Sequence, residues 1–456
     1  MSWNPKYAIL IATSTIITYL SGVLINNFGK ISNEDKSLKL KKLVVFLSLS
    51  GNLSILFLFK YYNFFEKTLT RVFSIFNITL NMPSFDYMLP IGISFYTFQA
   101  LSYTIDVYRR DIKAEKNFIK FALFVSFFPQ LLAGPIEKSK NLMQQFDEVH
   151  FFDYDKAKSG LLLMLWGLFQ KMIITDRLAA LVNTVYTTPS KYKGFEIILA
   201  TVFFAFQIYC DFSAYSNIAR GAAEVMGFRL SINFERPYFS KSIKEFWRRW
   251  HITLGAWFKD YLYIPLGGNR CNKVRNYLNI MVVFIVSGLW HGAATNFIIW
   301  GALHGAYQVI GDVLKPTRRS FIKAFKINTN SFAFKLYQVT VTFILVDFAW
   351  IFFKAGSFSY AVTIIKNMFY FNPKVFTNGA IYNLGLDSKD FLIAVLGIII
   401  VLIENLLERN KCLRHELSKY NIAFRWSVYL TTVVIILILG IYGPGFNPQQ
   451  FIYFQF

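Results

Sequence analysis

Cysteine is nearly absent from this 456-residue chain: Cys210, Cys271 and Cys412 are scattered, with no CxxC pair. An odd, dispersed set supplies neither a disulfide framework nor zinc-ligand spacing. Cys210 lies in an apolar run and reads as a small core residue rather than a nucleophile. Charge is also scarce, at 16% of residues against roughly a quarter in globular domains. The acidic sign is the scarcer one, with 26 Asp and Glu against 48 Lys and Arg, a net charge of +22. No internal repeat or low-complexity run is visible, so the inverted-repeat signature of many transporters is missing.

Apolar residues fill the space left by charge. They make up 55% of the chain, with 50 Phe and 26 Tyr, and mean hydropathy is +0.39. A chain of this length with this composition reads as an all-α, polytopic membrane protein, one integral-membrane domain over residues 1–456. The basic residues gather in short loops between apolar runs, at Lys36, Lys39, Lys41 and Lys42, and at Lys315, Arg318, Arg319, Lys323 and Lys326. That is the pattern of cytoplasmic loops, and it excludes a nucleic-acid partner as the reason for the charge.

Apolar runs place spans near residues 7–28, 43–59, 89–108, 160–174, 197–215, 334–353, 391–407 and 426–442. The first has only Lys6 ahead of it and no small-residue cleavage site, so it reads as a retained helix rather than a signal peptide. Residues 61–80 have the spacing of an amphipathic helix at the membrane interface. Residues 118–132 are short for a span, carry Pro129, and are followed by Ala133-Gly134-Pro135-Ile136, which predicts a broken or re-entrant piece. Counting short pieces, roughly ten to twelve membrane segments are expected. Gln99 and Asp106 in the 89–108 run, and Asp211 in Tyr209-Cys210-Asp211-Phe212-Ser213, are candidate polar positions. Gln99 also suits an inter-helix hydrogen bond, and Asp211 also suits a pair with a nearby base.

The chemistry concentrates in residues 246–305, which hold three of the five histidines. From 243 to 261, apolar residues recur at 243, 246, 247, 250, 254, 257, 258 and 261, which predicts a helix with one broad aromatic face. Lys244, Arg248 and Arg249 on it serve either as anchors to anionic lipid headgroups or as a cationic mouth for a phosphate-bearing donor. His251 sits at the border of that helix. His291 follows Met281-Val282-Val283-Phe284-Ile285-Val286 and is flanked by Gly288 and Gly292. Burial there disfavours the imidazolium and leaves a neutral ring able to accept a proton. His304 has the sequence of a packing residue. On one continuous helix His291 and His304 would stand ~20 Å apart along the axis, and no HxxxH or HExxH occurs, so no metal site is expected.

Three motifs carry a resemblance: Arg248-Arg249-Trp250-His251-Ile252-Thr253-Leu254, Phe258-Lys259-Asp260-Tyr261-Leu262-Tyr263-Ile264-Pro265-Leu266-Gly267-Gly268, and Ser287-Gly288-Leu289-Trp290-His291-Gly292. Together they resemble the membrane-bound O-acyltransferase family, in the branch of the alginate O-acetylation type. Pro90-Ile91-Gly92-Ile93-Ser94-Phe95-Tyr96-Thr97-Phe98-Gln99, Ala133-Gly134-Pro135-Ile136, Asp347-Phe348-Ala349-Trp350-Ile351-Phe352-Phe353 and the terminal Phe451-Ile452-Tyr453-Phe454-Gln455-Phe456 resemble that branch as well. The match covers most of the chain, with a core at residues 87–305. This chain departs from the branch at Ala294-Thr295-Asn296-Phe297, where the branch usually has Asn-Trp-Thr-Phe.

The resemblance implies short or broken helices around a central tunnel across the membrane. It implies His291 as the active-site histidine and His251 as a second polar position of the site. Arg248, Arg249, Trp250, Trp290, Asp211 and Gln99 are the expected substrate-binding positions. The implied reaction moves an acetyl or other acyl group from a cytoplasmic thioester, acetyl-CoA or an acyl-carrier thioester, toward a secreted or cell-wall polysaccharide. The implied partners are an extracytoplasmic acetyltransferase- or esterase-like protein and the lipids of a bacterial cell membrane. No permanently bound cofactor is implied. Teichoic-acid D-alanylation or lipid acylation is the alternative chemistry, and transport without chemistry is the alternative class.

Overall fold

The computed structural model describes residues 6–85, 90, 92–409, 411–442 and 451–452. Ile91 of the first supporting motif and Tyr453 to Phe456 of the terminal one lie outside the described residues. Among the described residues every regular element is helical. The chain divides into two compact units, Met1–Phe152 with Met226–Ser231, and Asp153–Val225 with Ile232–Phe456.

The first unit holds α1 (Lys6–Phe28), α2 (Glu34–Leu56), α3 (Tyr62–Ile75), α4 (Ile93–Arg109), α5 (Phe118–Ser126) and the single turn α6 (Ser139–Leu142). Small and hydroxyl residues knit α1, α2 and α4 together, as expected where apolar burial does not itself drive helices to associate. Ser14 donates to Asn52 at 2.5 Å, and the Thr104 hydroxyl lies 3.0 Å from Ser21 and 3.1 Å from Ser48. A Cβ on Gly22 would stand 2.8 Å from the Tyr103 ring, so glycine lets the two helices close. α3 does not begin separately but continues α2 through a π turn, Phe57–Tyr61. α5 stops at Ser126, short of Pro129, and is too short to cross a bilayer.

The second unit contains α7 (Tyr154–Phe169), α8 (Asp176–Thr187), α9 (Phe195–Val225), α10 (Ile243–Arg249), α11 (Ile252–Phe258), α12 (Lys273–His291), α13 (Thr295–Val313), α14 (Lys315–Ala324), α15 (Phe332–Lys354), α16 (Phe358–Met368), α17 (Ser388–Leu407), α18 (Leu413–Ser418) and α19 (Ile422–Leu439). α9 is its axis, with 19 of its 31 residues buried. α7 lies against α9 through Gly160 and Gly221, where a Cβ on either would meet the other's carbonyl oxygen at 2.5 or 2.4 Å. Seven helices among the described residues are long and apolar enough to cross a membrane, or eight if α13 and α14, bent by 49°, are taken together. The chain is a multi-pass membrane protein.

One expectation needs correction. Residues 243–261 are not a single helix. α10 ends at Arg249, Trp250 is extended, and His251 takes φ 44° and ψ 55° in the left-handed region before α11 starts. Asn233 holds the break open. Its carbonyl accepts from the Ile252 N–H at 2.9 Å, and its side-chain oxygen accepts from the Thr253 hydroxyl at 2.6 Å. A left-handed histidine costs ~1–2 kcal/mol, which these bonds offset.

Candidate active site

α12 and α13 form a tight hairpin because glycine stands at both close approaches. A Cβ on Gly288 would lie 2.2 Å from the Phe297 carbonyl oxygen, and one on Gly301 would lie 2.2 Å from that of Phe284. The hairpin brings Trp300 back onto the last turn of α12, so His291 and His304 both pack against Trp300, each at 5.0 Å between ring centroids. The separation expected for one continuous helix does not apply.

His291 is the last residue of α12 and is only 4% exposed. Trp290 lies 4.7 Å, Trp300 5.0 Å and Phe353 5.2 Å from its ring, all edge-on. The ring of Trp290 also lies 6.1 Å from that of His251, which meets Phe212 edge-on at 4.6 Å. Trp290 therefore packs on both imidazoles. His251 is 1% exposed, and burial presses its ring well below the ordinary histidine range, to about 3. It acts as a neutral ring.

His304 also packs edge-on against Trp300 and is fully buried. Its Nδ1 accepts a hydrogen bond from the Trp247 indole at 3.2 Å, which sets the Nε2–H tautomer and ties α13 to α10. That is the geometry of a packing residue.

The basic residues separate. Arg248 and Lys244 are exposed. Arg249 is engaged by Glu245 at 2.7 Å and by the Arg236 carbonyl at 3.4 Å. Trp250 stacks in a fully aromatic setting, 5.1 Å from Phe234, 5.4 Å from Phe246 and 5.1 Å from Trp350. Asp211 pairs with Lys171 at 2.9 Å and accepts from the Ile452 N–H at 2.5 Å, while Lys171 also reaches Asp176 at 3.1 Å. Gln99 is buried on α4 of the first unit.

The second unit thus gathers His251, Trp290 and His291, and sets Trp250 and Asp211 in packing and ion-pair roles beside them. Phe212, Trp300 and Phe353 complete the surroundings of the two imidazoles and were not singled out from sequence, where aromatic residues are too common to mark a site. Asn296, at the departure from the branch pattern, donates to the Phe352 and Ala355 carbonyls at 3.2 and 2.7 Å and holds the start of α13 against the end of α15. No group of three or more His, Cys, Asp or Glu side chains that could hold a metal ion occurs among the described residues.

A family profile described as MBOAT, membrane-bound O-acyltransferase family, matches residues 35–349. A probable alginate O-acetylase, AlgI, of Pseudomonas aeruginosa is 37% identical over 369 residues, covering 81% of this chain and 67% of that protein. A peptidoglycan O-acetyltransferase of Helicobacter pylori is 32% identical over 420 residues, covering 86% of this chain and 74% of its own length. A teichoic acid D-alanyltransferase of Streptococcus thermophilus is 27% identical over 246 residues, covering 51% and 59%.

Proposed function

The chain belongs to the membrane-bound O-acyltransferase family and is an O-acyltransferase, and on that premise we propose that it acetylates a polysaccharide outside a bacterial cell membrane. The donor is a cytoplasmic thioester, acetyl-CoA or an acyl-carrier thioester. The acceptor is a secreted or cell-wall polysaccharide, reached through an extracytoplasmic partner. The observation that carries the reading is His291 itself, an ionisable residue closed in by Trp290, Trp300 and Phe353 at the end of an apolar helix. Such a group is costly there unless it works.

In this reading His291 is the general base. Its imidazole takes the proton of the acceptor hydroxyl as that oxygen attacks the thioester carbonyl. The C–O bond forms, the C–S bond breaks, and the proton passes to the departing thiolate. The three aromatic rings keep water from competing as the acceptor. His251, neutral and across Trp290, sets the position of that indole and lines the path of the acyl group. Arg248 and Lys244, exposed on α10, are the cations open to a phosphate-bearing donor, since Glu245 already occupies Arg249.

D-alanyl transfer to teichoic acid is the second reading. The O-acetylating relatives match a much larger share of this chain than the D-alanyltransferase does, which favours acetyl transfer. The test is an acetyl-group assay of cell-surface polysaccharide with wild-type protein, His291→Ala and His291→Gln at matched membrane levels. A general base contributes about a hundred- to ten-thousand-fold, so both variants should insert normally and transfer essentially nothing. Substantial transfer by well-folded His291→Ala would end the mechanism.

A further inference from the structure

A cavity of about 750 Å³ lies within the second unit. Neither His251, Trp290 nor His291 is among the residues that line it. Its walls come from α7, α9, α17, α18, α19 and the chain around Asn233. One side is apolar, with Leu165, Ile400 and Ile403. Ile400 and Ile403 are 44% and 49% exposed on α17, a helix apolar enough to span the membrane. That wall therefore continues onto the surface that acyl chains cover.

The other side is polar and incompletely satisfied. Among the described residues no hydrogen-bond partner reaches the Arg220 Nε, the Ser216 hydroxyl or the Asn233 amide nitrogen. Ser216 and Asn233 are 2% and 1% exposed, and all three line the cavity. A buried guanidinium N–H and two further donors without hydrogen-bond partners are expensive unless an anion with several acceptor oxygens meets them. Arg414 in the same wall already takes Glu224 at 3.2 Å and Ser159 at 2.7 Å, so Arg220 shares that acid with a second cation. Glu404 and Glu408 line the cavity too. Arg236 and Lys411 line it as well, so a head group that carries both signs meets both sets.

We propose that this cavity binds a membrane phospholipid with an ethanolamine head. Its phosphate pairs with Arg220, Ser216 and Asn233, its ammonium faces Glu404 and Glu408, and its acyl chain runs along Leu165, Ile400 and Ile403. A phosphate ester accepts the planar fork of arginine, and basic pockets between membrane helices are suited to lipid heads. The apolar wall open to the bilayer selects a lipid over a water-borne phosphate such as coenzyme A. The site is independent of the acetyl-transfer reading and stands whether or not that reading holds.

The experiment is native mass spectrometry of the full-length protein released from vesicles with equal parts phosphatidylethanolamine, phosphatidylglycerol and phosphatidylcholine. Wild-type protein should retain one phosphatidylethanolamine in preference to the other two, and added coenzyme A should not displace it. Arg220→Gln should lower that occupancy about tenfold or more, the scale of one charged hydrogen-bonding partner lost. Arg220→Lys should keep part of it, and His291→Gln should leave it unchanged, which separates this site from the reaction. If Arg220→Gln does not fold, Ser216→Met narrows the cavity without removing charge and should lower occupancy as well. The wild-type competition decides the matter by itself. No retained phospholipid, retention of the glycerol- or choline-headed lipid equal to or above that of the ethanolamine one, or displacement by coenzyme A overturns the proposal.

Discussion

The backbone of Gly288 lies against that of Phe297 so closely that a Cβ on the glycine would stand 2.2 Å from the phenylalanine carbonyl oxygen. No neighbouring side chain can move to relieve that contact, because the obstacle is main chain. Gly288→Ala should therefore force α12 and α13 apart and draw Trp300 from His291. Overpacking of this kind costs about 1–3 kcal/mol. The expected outcome is a lower melting temperature in detergent together with a large loss of transfer. Gly311→Ala, at a position with nothing within 4 Å of the added carbon, should change neither and serves as the control. Normal activity in Gly288→Ala would show that the hairpin contact is dispensable.

His251 is expected to matter less than His291, and in a different way. Its ring meets Phe212 and packs on Trp290, so removing it loosens the indole without removing the proposed base. His251→Ala should retain measurable transfer, well above that of His291→Ala, with normal membrane insertion. His251→Asn should recover more stability than His251→Ala, since asparagine tolerates the left-handed backbone at φ 44° better. Equal abolition by both His251 variants and His291→Ala would put His251 in the chemistry itself.

The two neighbouring arginines should part company under mutation. Arg248 is exposed, whereas Arg249 is bound to Glu245 one turn back on α10. Arg248→Gln should raise the apparent KM for the thioester donor with little change in melting temperature. Arg249→Gln should instead cost stability, on the order of 0.5 kcal/mol for a partly exposed i, i+4 pair. That loss should shrink when Glu245→Gln is already present. A KM effect at Arg249 and none at Arg248 would reverse the assignment.

Much of the second unit is legible in the chain, and the failures have physical causes. The long apolar runs around α9, α15, α17 and α19 exceed the length any soluble helix needs, so their helices follow from hydropathy. His291 is visible because it lies in such a run between glycines. The break at His251 is not visible, since apolar spacing continues across it from 250 to 254. It is imposed by Asn233, which accepts hydrogen bonds from residues 252 and 253 in place of helical ones. The joint packing of His291 and His304 on Trp300 was likewise hidden. The turn at Gly292 contains no proline, and only the glycine pairs that allow close approach hint at a hairpin. Asp211 is legible as a polar position, but its partner Lys171, forty residues away, is not.

The basic loops supply a test of orientation. Residues 30–42 and 315–326 carry clustered lysine and arginine, which resist translocation. Lys36→Cys and Lys323→Cys, each in a background of Cys412→Ser to remove the exposed native thiol, should resist an impermeant thiol reagent on intact cells and react once the membrane is opened. Ready labelling of both on intact cells would invert the topology.

The buried ion pair of Lys171 and Asp211 makes the last prediction. Asp211 is almost wholly buried, with its side chain 2% exposed, and Lys171 is 12% exposed and shared with Asp176. Removing one partner leaves the other charge in an apolar setting, which typically costs about 3–5 kcal/mol. Removing both leaves only Asp176 without its cation, one buried carboxylate in place of the two that face each other when Lys171 alone is lost. Asp211→Asn should therefore destabilise strongly, and it also weakens the acceptor for the Ile452 N–H. Lys171→Met should destabilise strongly too, because Asp176 and Asp211 then face each other unneutralised. The double variant Asp211→Asn with Lys171→Met should be more stable than the sum of the singles predicts, and should recover acyl-transfer activity alongside that stability. A structural pair gives that coupling in melting temperature with kcat restored alongside it. If the double variant melts like wild type yet transfers nothing, Asp211 or Lys171 touches the substrate, and the ion pair belongs to the active site rather than to its support.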